Sequence, residues 1–299
     1  MLTGEVLNKF PNANFTLAAM AILIADSGST KCEWRLAGAR KGTSWFTQGM
    51  SPYFLNAEQM ENVSRNELLK KMKEAPDEIH FYGTGNKNLN NAKMIRGVLK
   101  KVFPAAEVTV DHDLLGASRA LCQREPGIAC ILGTGSNSCY FNGKKIVRNS
   151  PGLGYVLGDE GSGAYLGKKV IQYYLYEIFE QDLKAKFDKQ YNTDAAQILE
   201  HVYQKPLPNR YLASYTMFLS ENRGHYMIEN IIEDGINDFF YNHISRYPES
   251  KKYPVHFTGS IAFHFKDVVL GLCEWYGMKA GTILQSPMEG LVGYHRSEK

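Results

Sequence analysis

The sequence has few cysteines, and none of them form a C-x-x-C motif. An odd number of widely spaced cysteines argues against a disulfide framework and indicates reduced thiols in a reducing compartment. We therefore predict a cytoplasmic protein in which the cysteines are small buried hydrophobic residues. They are Cys32, Cys122, Cys130, Cys139 and Cys273.

The chain also lacks an excess of one charge and an apolar run long enough to cross a membrane. Its 34 basic and 31 acidic residues give a formal net charge of +3, so neither a nucleic acid nor an anionic membrane is indicated as a partner. The apolar run 15–25 is shorter than a membrane-spanning helix and has a poor signal-peptide cleavage pattern. We expect this run to lead into a buried first strand, and the partner to be a small molecule.

Two common nucleotide-binding motifs are absent. A Walker motif would need a glycine where Ser162 stands and a hydroxyl residue where Lys169 stands. Gly161, Gly163 and Gly167 are spaced one residue too widely for the dinucleotide fingerprint. Any nucleotide site must therefore use a different phosphate-binding element.

A repeated segment supplies such an element. Both copies contain an apolar run, a small-residue turn (DSGSTK or GTGSNS) and a second strand-like stretch, so each predicts a β-hairpin. Two further strand-and-turn segments, 79–86 and 255–260, support a duplication. A shift of 107 residues aligns Ile24, Gly28, Ser29 and Cys32 with Ile131, Gly135, Ser136 and Cys139.

The segments between these turns predict helices, and strands alternating with helices indicate an α/β fold. A chain of 299 residues is long for one core, so we expect two similar lobes with a ligand cleft between them. The predicted helices cover residues 56–74, 90–102, 163–179 and 228–243. The predicted domains are an extension 1–19, a first lobe 20–114 joined by the C-terminal helix 284–299, and a larger second lobe 115–283.

The glycine-rich turns are suited to binding phosphate, because backbone NH groups in such turns can point into one concavity. Asp26 ends the first strand and could meet a hydrated magnesium ion, and Lys31 could add a positive charge. A simple hairpin turn explains either loop alone. The duplication and the following GDEGSG element (158–163) favour the phosphate-binding interpretation.

Asp113 is the candidate catalytic base. Phosphoryl transfer to an alcohol needs a carboxylate near the nucleophilic hydroxyl, and Asp113 follows a predicted strand and precedes a small-residue helix start. It could instead cap that helix, and Asp111 is a competing base. Asp159 could accept hydrogen bonds from sugar hydroxyls, or cap the helix near Ser162.

At these residues the sequence resembles the BadF/BadG/BcrA/BcrD ATPase family, and within it the N-acetylglucosamine kinases. The resemblance runs from about Met20 to the C-terminus and rests on the motifs ADSGSTK, DLLGAS with ILGTGSNS, GYVLGDEGSGAYLGK and FTGSIA. It implies two lobes of the actin-like ATPase (ribonuclease H-like) fold around a nucleotide cleft. It also implies ATP and Mg²⁺ as cofactors and an amino sugar as the substrate.

The resemblance also implies roles for individual residues, with Asp113 as the base and Asp26 as the metal ligand. Ser51 is a departure, because sugar kinases of the family often have an asparagine in this loop (GMSPY, 49–53). The implied ATP-binding residues are Asp26, Gly28, Ser29, Thr30, Lys31, Gly133, Thr134, Gly135, Ser136, Asn137, Gly259 and Ser260. The implied sugar-binding residues are Ser51, Gly83, Thr84, Asp113, Thr134, Gly135 and Asp159.

Several alternatives remain open at this stage. The same family includes ATPases that activate radical dehydratases through an iron–sulfur cluster, which needs thiolate ligands. A sugar-sensing regulator would need a DNA-binding module, and residues 1–19 are too short and not basic. Glucosamine, N-acetylmuramic acid and a plain hexose compete with N-acetylglucosamine as substrate. The aromatic stretch 173–179 would suit a homodimer contact, and a core-facing helix explains it equally well.

Overall fold

The chain folds into two compact units. The first unit comprises the residues up to Gln123 together with those from Pro287, and the second unit is Arg124–Ser286. The predicted extension 1–19 lies outside the described residues. A computed structural model describes residues 20–28, 30–37 and 43–296.

The first unit is built on a mixed five-stranded sheet in the order β3-β2-β1-β4-β5. β1 lies at its centre, antiparallel to β2 and parallel to β4. Its run ILIA is almost entirely buried, as expected of a strand covered on both faces. The strands are β1 (Ile22–Ser27), β2 (Lys31–Ala37), β3 (Thr43–Gln48), β4 (Glu78–Gly83) and β5 (Glu107–His112).

The helices of the first unit lie near their predicted positions. Asn56 begins the first of them with a capping box to Gln59, and a π-helical turn and a 3-10 turn extend it to residue 71. Asn88 caps the second helix, which begins at Leu89, one residue before the predicted start at 90. The helices are α1 (Ala57–Val63), α2 (Leu89–Val102), α3 (Asp113–Cys122) and the C-terminal helix (Met288–Arg296).

The second unit repeats the strand order of the first. Its sheet runs β8-β7-β6-β9-β10, with β6 antiparallel to β7 and parallel to β9. Each sheet is therefore three antiparallel strands followed by two parallel ones, which confirms the predicted α/β fold of two similar halves. The strands are β6 (Pro126–Leu132), β7 (Ser136–Asn142), β8 (Ile146–Ser150), β9 (Val255–Thr258) and β10 (Ala280–Leu284).

The two hairpins differ at their turns. Cys32 in β2 lies opposite Ser27 at the end of β1. Cys139 in β7 instead lies opposite Ala129, well before the end of β6, because β6 turns back earlier than the 107-residue offset predicts. The two units thus share the strand order, but a single shift of 107 residues does not align both strands of the two hairpins.

The second unit carries most of the helices, including the two predicted at 163–179 and 228–243. In the stretch 173–179, Phe179 is buried in the core and Tyr176 is 73% exposed. Among the helices of the described ranges, none has both the length and the apolar character needed to cross a bilayer. The helices are α4 (Gly154–Leu157), α5 (Gly163–Leu175), α6 (Gln181–Tyr191), α7 (Ala195–Tyr203), α8 (Pro208–Ser214), α9 (Thr216–Glu221), α10 (Tyr226–Asn242), α11 (Ser260–His264) and α12 (Lys266–Trp275).

Each unit has its own hydrophobic core. Trp34 and Phe81 pack together in the first unit, and Phe240 stacks on Phe257 in the second. All five cysteines are buried, and none of them forms a disulfide within the described residues, as the sequence predicts for small hydrophobic residues. Burial raises the pKa of the Cys273 thiol to about 11, so this thiol stays protonated and unreactive.

The boundaries of the units differ from the predicted domains. The division after Gln123 keeps the whole of α3 in the first unit, whereas the predicted boundary at 114 would cut this helix near its start. α3 packs closely on β4, since a side chain on Gly116 would overlap the Tyr82 ring. The chain returns to the first unit at Pro287, after β10, and residues 297–299 of the predicted terminal helix lie outside the described residues.

Candidate active site

Asp26 is a half-buried carboxylate near the end of the central strand β1. Burial, together with the negative charges of Asp113 and Glu33, raises its pKa to about 7. The influence of Asp113 means that the two carboxylates lie close enough to repel each other. A divalent cation bound at Asp26 would relieve this repulsion, and a carboxylate oxygen is a ligand that Mg²⁺ prefers.

Asp113 is the first residue of α3, directly after β5. Its Oδ2 accepts a hydrogen bond from the Thr84 hydroxyl at 3.0 Å, and its Oδ1 accepts one from the Leu114 backbone NH at 2.8 Å. The residue in the N-cap position is His112, which makes no side-chain capping bond. Asp113 therefore has a fixed orientation, although its bond to Leu114 also helps to satisfy the first turn of the helix.

Asp111 has different partners. Its Oδ2 lies 3.3 Å from the Arg119 guanidinium, and the same guanidinium nitrogen donates to the Tyr82 hydroxyl at 2.7 Å. Burial raises the pKa of Tyr82 above its ordinary value, so the phenol remains neutral. Asp111 thus belongs to an ion pair that joins α3 to β5, and the charge of its carboxylate is already compensated.

The loops predicted to meet the sugar pack against each other within the first unit. Gly85 has a positive φ of 85°, and a Cβ there would lie 2.9 Å from the Tyr53 ring, so Tyr53 covers the turn after β4. The Ser51 hydroxyl and the Asn86 side-chain oxygen are buried without a hydrogen-bond partner. Buried polar atoms are rarely left unsatisfied, so these two are candidates to bind a ligand hydroxyl.

Part of the polar backbone of the first hairpin turn is hydrogen-bonded within the turn itself. The Gly28 NH donates to the Lys31 carbonyl at 3.0 Å, so it closes the turn. The Lys31 ammonium lies 3.6 Å from the centre of the Phe46 ring, a cation–π contact at an exposed position. Thr30 accepts a backbone bond from Gly49, which ties the turn to the sugar loop, and Ser29 lies outside the described residues.

The second hairpin turn and the GDEGSG element form one structure in the second unit. The Gly163 NH donates to the Gly133 carbonyl at 2.8 Å, and the Ala164 NH donates to the Thr134 carbonyl at 3.0 Å. The start of α5 is therefore bound to the turn between β6 and β7. Ser162 caps this helix, accepting a bond from the Tyr165 NH, as the sequence predicts for a helix beginning near that residue.

Asp159 points at this turn. A Cβ on Gly135 would lie 2.9 Å from the Asp159 Oδ2, so only glycine allows this approach. Burial raises the pKa of Asp159, while a hydrogen bond from the Ser136 backbone lowers it. The turn thus binds a carboxylate with a backbone NH group, which is the interaction that a phosphate oxygen or a sugar hydroxyl would use.

The end of β9 also lies against this turn. Gly259 has a φ of 117°, and a side chain on it would overlap the Leu132 carbonyl at the end of β6. Ser260 follows as the exposed first residue of α11. The Ser136 and Thr258 hydroxyls are buried without a partner, so unsatisfied polar atoms border this region as well.

The predicted site residues form one group in each unit. In the first unit, Asp26, Thr84 and Asp113 lie together beside the paired loops that carry Ser51 and Gly83. In the second unit, a single region contains Gly133, Thr134, Gly135, Ser136, Asn137, Asp159, Gly259 and Ser260. The backbone NH group beside Gly135 and the unsatisfied hydroxyls of the second unit fit an oxygen-rich anionic ligand. The Asp26 carboxylate of the first unit fits a divalent cation.

Three residues near these groups were missed at the sequence level. Tyr53 lies within the loop GMSPY and Glu160 lies within GDEGSG. Their positions in these motifs could have identified them as site residues. Glu160 bonds to His243 at 3.0 Å, and no local pattern identified this histidine.

A separate acidic cluster lies at the surface of the second unit. Among the described residues, Glu180, Asp182 and His225 are the group close enough to share an ion. His225 Nδ1 accepts a hydrogen bond from the Met227 NH, so the neutral ring carries its proton on Nε2, 3.4 Å from Glu180. This nitrogen is a donor to the carboxylate and has no free lone pair for a metal.

Comparisons with known proteins agree with this geometry. The profile of the BadF/BadG/BcrA/BcrD ATPase family matches residues 25–293. A crystal structure from Porphyromonas gingivalis, provisionally named an N-acetylglucosamine kinase, is 38% identical, with a TM-score of 0.88, over 92% of this chain and 99% of that one.

A second structure supports the fold alone. It comes from Chromobacterium violaceum, carries the same provisional name and is 18% identical, with a TM-score of 0.67, over 93% of this chain and 99% of that one. None of the curated proteins is similar enough to match this chain.

Proposed function

This chain belongs to the BadF/BadG/BcrA/BcrD ATPase family, and on that premise we propose that it is an ATP-dependent sugar kinase. Its acceptor is an amino sugar, in the first instance N-acetylglucosamine, the sugar named for the Porphyromonas gingivalis protein. The observation that carries the proposal is the orientation of Asp113 by Thr84 and the Leu114 NH. A carboxylate held in this way is prepared to receive a proton from a hydroxyl.

Asp113 acts as the general base. As the sugar oxygen forms its bond to phosphorus, its proton passes to Asp113, and the bond from phosphorus to the leaving oxygen of ADP breaks. Thr84 donates to Oδ2 and so positions the carboxylate. Asp111 cannot serve in the same way while Arg119 is bound to it.

ATP would supply the phosphoryl group, and Mg²⁺, when bound, would neutralise charge on its phosphates. Asp26 would hold the ion through its water ligands, which favours the ionised carboxylate despite the raised pKa. The phosphates would bind to the turn Gly133–Asn137, with Thr30 and Lys31 on the first hairpin. The open backbone at Gly259 and the hydroxyl of Ser260 would approach the adenosine side.

The sugar would be bound by polar groups that now lack partners. The Ser51 hydroxyl is buried and unsatisfied, and so suits a sugar hydroxyl. Asp159 and the Thr84 hydroxyl oxygen would each accept a further bond from a sugar hydroxyl, because the Thr84 proton is already donated to Asp113. A site built to bond hydroxyl groups rejects ligands that lack them, which favours a sugar over an apolar alcohol.

A screen of sugars tests the proposal. Purified protein with ATP and Mg²⁺ is offered N-acetylglucosamine, glucosamine, N-acetylmuramic acid and glucose, and both ADP and the sugar phosphate are measured. We expect sugar phosphate in amounts equal to ADP, with N-acetylglucosamine among the substrates. ATP hydrolysis without phosphorylation of any sugar would exclude the kinase.

The activator-type ATPase is the weaker alternative. It needs thiolates at a surface to hold an iron–sulfur cluster, whereas all five cysteines are buried. Reduced, buried thiols also support our proposal that the protein is cytoplasmic.

A further inference from the structure

The GDEGSG element (158–163) holds Asp159 in an unfavourable backbone conformation. Asp159 has a φ of 58° and Gly161 a φ of 69°, so two residues of one short turn lie in the left-handed region. A residue other than glycine stays in this region only where its surroundings hold it there. The groups that support this turn therefore also determine where the Asp159 carboxylate points.

The helix α10 provides such support along one stripe of its surface. A Cβ on Gly161 would lie 2.9 Å from the Phe239 Cβ and 3.3 Å from the Gly235 carbonyl oxygen, so the turn lies directly on the helix. His243 is the C-cap of α10, four residues after Phe239, and the two rings lie 5.0 Å apart. His243 is therefore on the same stripe as the residues that contact Gly161.

The His243 ring is hydrogen-bonded through both nitrogens. Its Nε2 lies 3.0 Å from the Glu160 Oε2, and its Nδ1 lies 2.7 Å from the Ser150 hydroxyl. Because an ionised carboxylate only accepts, Nε2 carries the proton, and the Nδ1 of the neutral ring accepts from Ser150. His243 is 7% exposed, so packing as well as hydrogen bonding fixes the orientation of the ring.

The histidine links two segments that border the second hairpin turn. Glu160 directly follows Asp159, and within the described ranges His243 is the hydrogen-bond partner of its carboxylate. Ser150, on the other side of the ring, ends β8, which pairs with β7 of the hairpin. One buried ring thus connects the turn that carries Asp159 to the hairpin that Asp159 faces.

The order of hydroxyl, imidazole and carboxylate is that of a nucleophilic triad, but the backbone at Ser150 does not suit that chemistry. The Ser150 NH donates to the Tyr247 hydroxyl at 2.6 Å, so it is not available to stabilise an oxyanion. This chain of hydrogen bonds is therefore suited to supporting the turn.

We infer that His243 is a positioning residue for Asp159, the carboxylate assigned to the sugar, and this role rests on the proposed kinase function. Its bond to Glu160 keeps the left-handed turn in place, and the turn keeps Asp159 against Gly135. Loss of this bond releases Asp159 and weakens binding of the sugar. Asp159 takes no part in the proton transfer to Asp113, so the turnover of bound sugar is little changed.

Two conservative variants separate the two bonds of the ring. Glutamine places its amide near the position of Nε2, so His243→Gln keeps a donor for Glu160 and loses the bond to Ser150. Asparagine is one carbon shorter and places its amide near Nδ1, so His243→Asn keeps a partner for Ser150 and loses the bond to Glu160. Ser150→Ala is the matched control, because it removes the Ser150 bond from the other side.

Steady-state kinetics with N-acetylglucosamine compares the parent with the three variants. His243→Asn should raise KM about tenfold, since a charge-assisted hydrogen bond is lost, while kcat stays within about twofold of the parent value. His243→Gln and Ser150→Ala should leave both constants within about twofold of the parent values. A merely structural role for the buried ring would impair both histidine variants alike.

Hydrogen exchange of the segment 158–164 without ligands gives a readout that does not depend on kinase activity. The Ser162 NH donates to the Asp159 carbonyl at 3.0 Å, so this segment should exchange about tenfold faster in His243→Asn and at the parent rate in His243→Gln. Parent-like exchange or an unchanged KM in His243→Asn would overturn the proposal, as would equal changes in His243→Gln. If no sugar is phosphorylated, the kinase function fails, and the exchange rates still decide whether His243 supports the turn.

Discussion

At the scale of single residues, two aspartates close in sequence have separate chemical environments. Asp111, in a strand, is paired with Arg119, whereas Asp113, at the start of a helix, accepts bonds only from neutral donors. A carboxylate compensated by a guanidinium is a weak base. We therefore propose Asp113, the residue with neutral partners, as the base.

Replacing Asp113 with asparagine tests this distinction. The amide keeps an oxygen for the Leu114 NH but is not basic, so turnover should fall about a hundredfold to ten-thousandfold while thermal stability and ATP binding stay near the parent values. The matched control is Asp111→Asn, which should retain turnover and lose stability, because it leaves Arg119 without its ion-pair partner. Loss of turnover in the control alone would assign the base to Asp111.

Asp26 should make stability depend on pH. Its ordinary pKa is 3.8, and burial raises the pKa to about 7 in the folded protein. Between these values the folded state holds a proton that the unfolded chain releases, so stability falls as the pH rises from about 4 to about 7. Asp26→Asn removes this effect.

Thermal unfolding of the parent and of Asp26→Asn without nucleotide measures this pH dependence of stability. As the pH rises from 5 to 8, the unfolding temperature of Asp26→Asn should increase relative to that of the parent. The expected increase is roughly 2–4 °C for each kcal/mol of unfolding free energy that the parent loses. A constant difference across this range would mean that Asp26 titrates normally in the folded protein.

At the scale of elements, the strands and helices could be predicted because their signals are local. Apolar runs marked β1 and β6, and helical periodicity marked α2 and α10 to within two residues. The contacts that build the site are not local: Thr84 and Asp113 are 29 residues apart, and Glu160 and His243 are 83 apart. No periodicity encodes such pairs. The sequence indicated Thr84 and Asp113 separately, and the fold shows that they are partners; Glu160 and His243 were not predicted at all.

The second hairpin contains a glycine that can be tested against a control glycine outside the site. Gly135→Ala should raise KM for both sugar and ATP about tenfold, since the new Cβ would lie 2.9 Å from the Asp159 carboxylate and displace it. Gly271→Ala, in α12 of the same unit, is the control, because nothing lies within 4 Å of a Cβ at that position. Steady-state kinetics of both variants measures KM for sugar and for ATP. Equal increases in KM in the two variants would show that displacement of Asp159 is not the cause.

At the scale of the whole molecule, the first unit depends on the last helix of the chain. Leu291 of the C-terminal helix is fully buried, and His295 bonds to Tyr82 at 2.9 Å. Gly290 packs so closely on α3 that a side chain there would overlap the Ala120 carbonyl. Residues distant in sequence thus complete one core.

Removing residues 287–299 should therefore destabilise the first unit by more than about 3 kcal/mol and leave the second unit folded. Limited proteolysis followed by mass spectrometry should show early cleavage before Gln123 and protection within Arg124–Ser286. In the full chain, Gly290→Val should give the same pattern. Equal protection of both units after truncation would contradict the dependence.

The insertion of the second unit within the first has a consequence for synthesis on the ribosome. Domains generally fold in the order in which they emerge, but the first unit must wait for a helix that is translated after the whole of Arg124–Ser286. At about 5–20 residues per second this delay is roughly 10–30 s. During that time the apolar face of α3 around Ala120 stays uncovered in the nascent chain, and it is the surface that a ribosome-associated chaperone would bind.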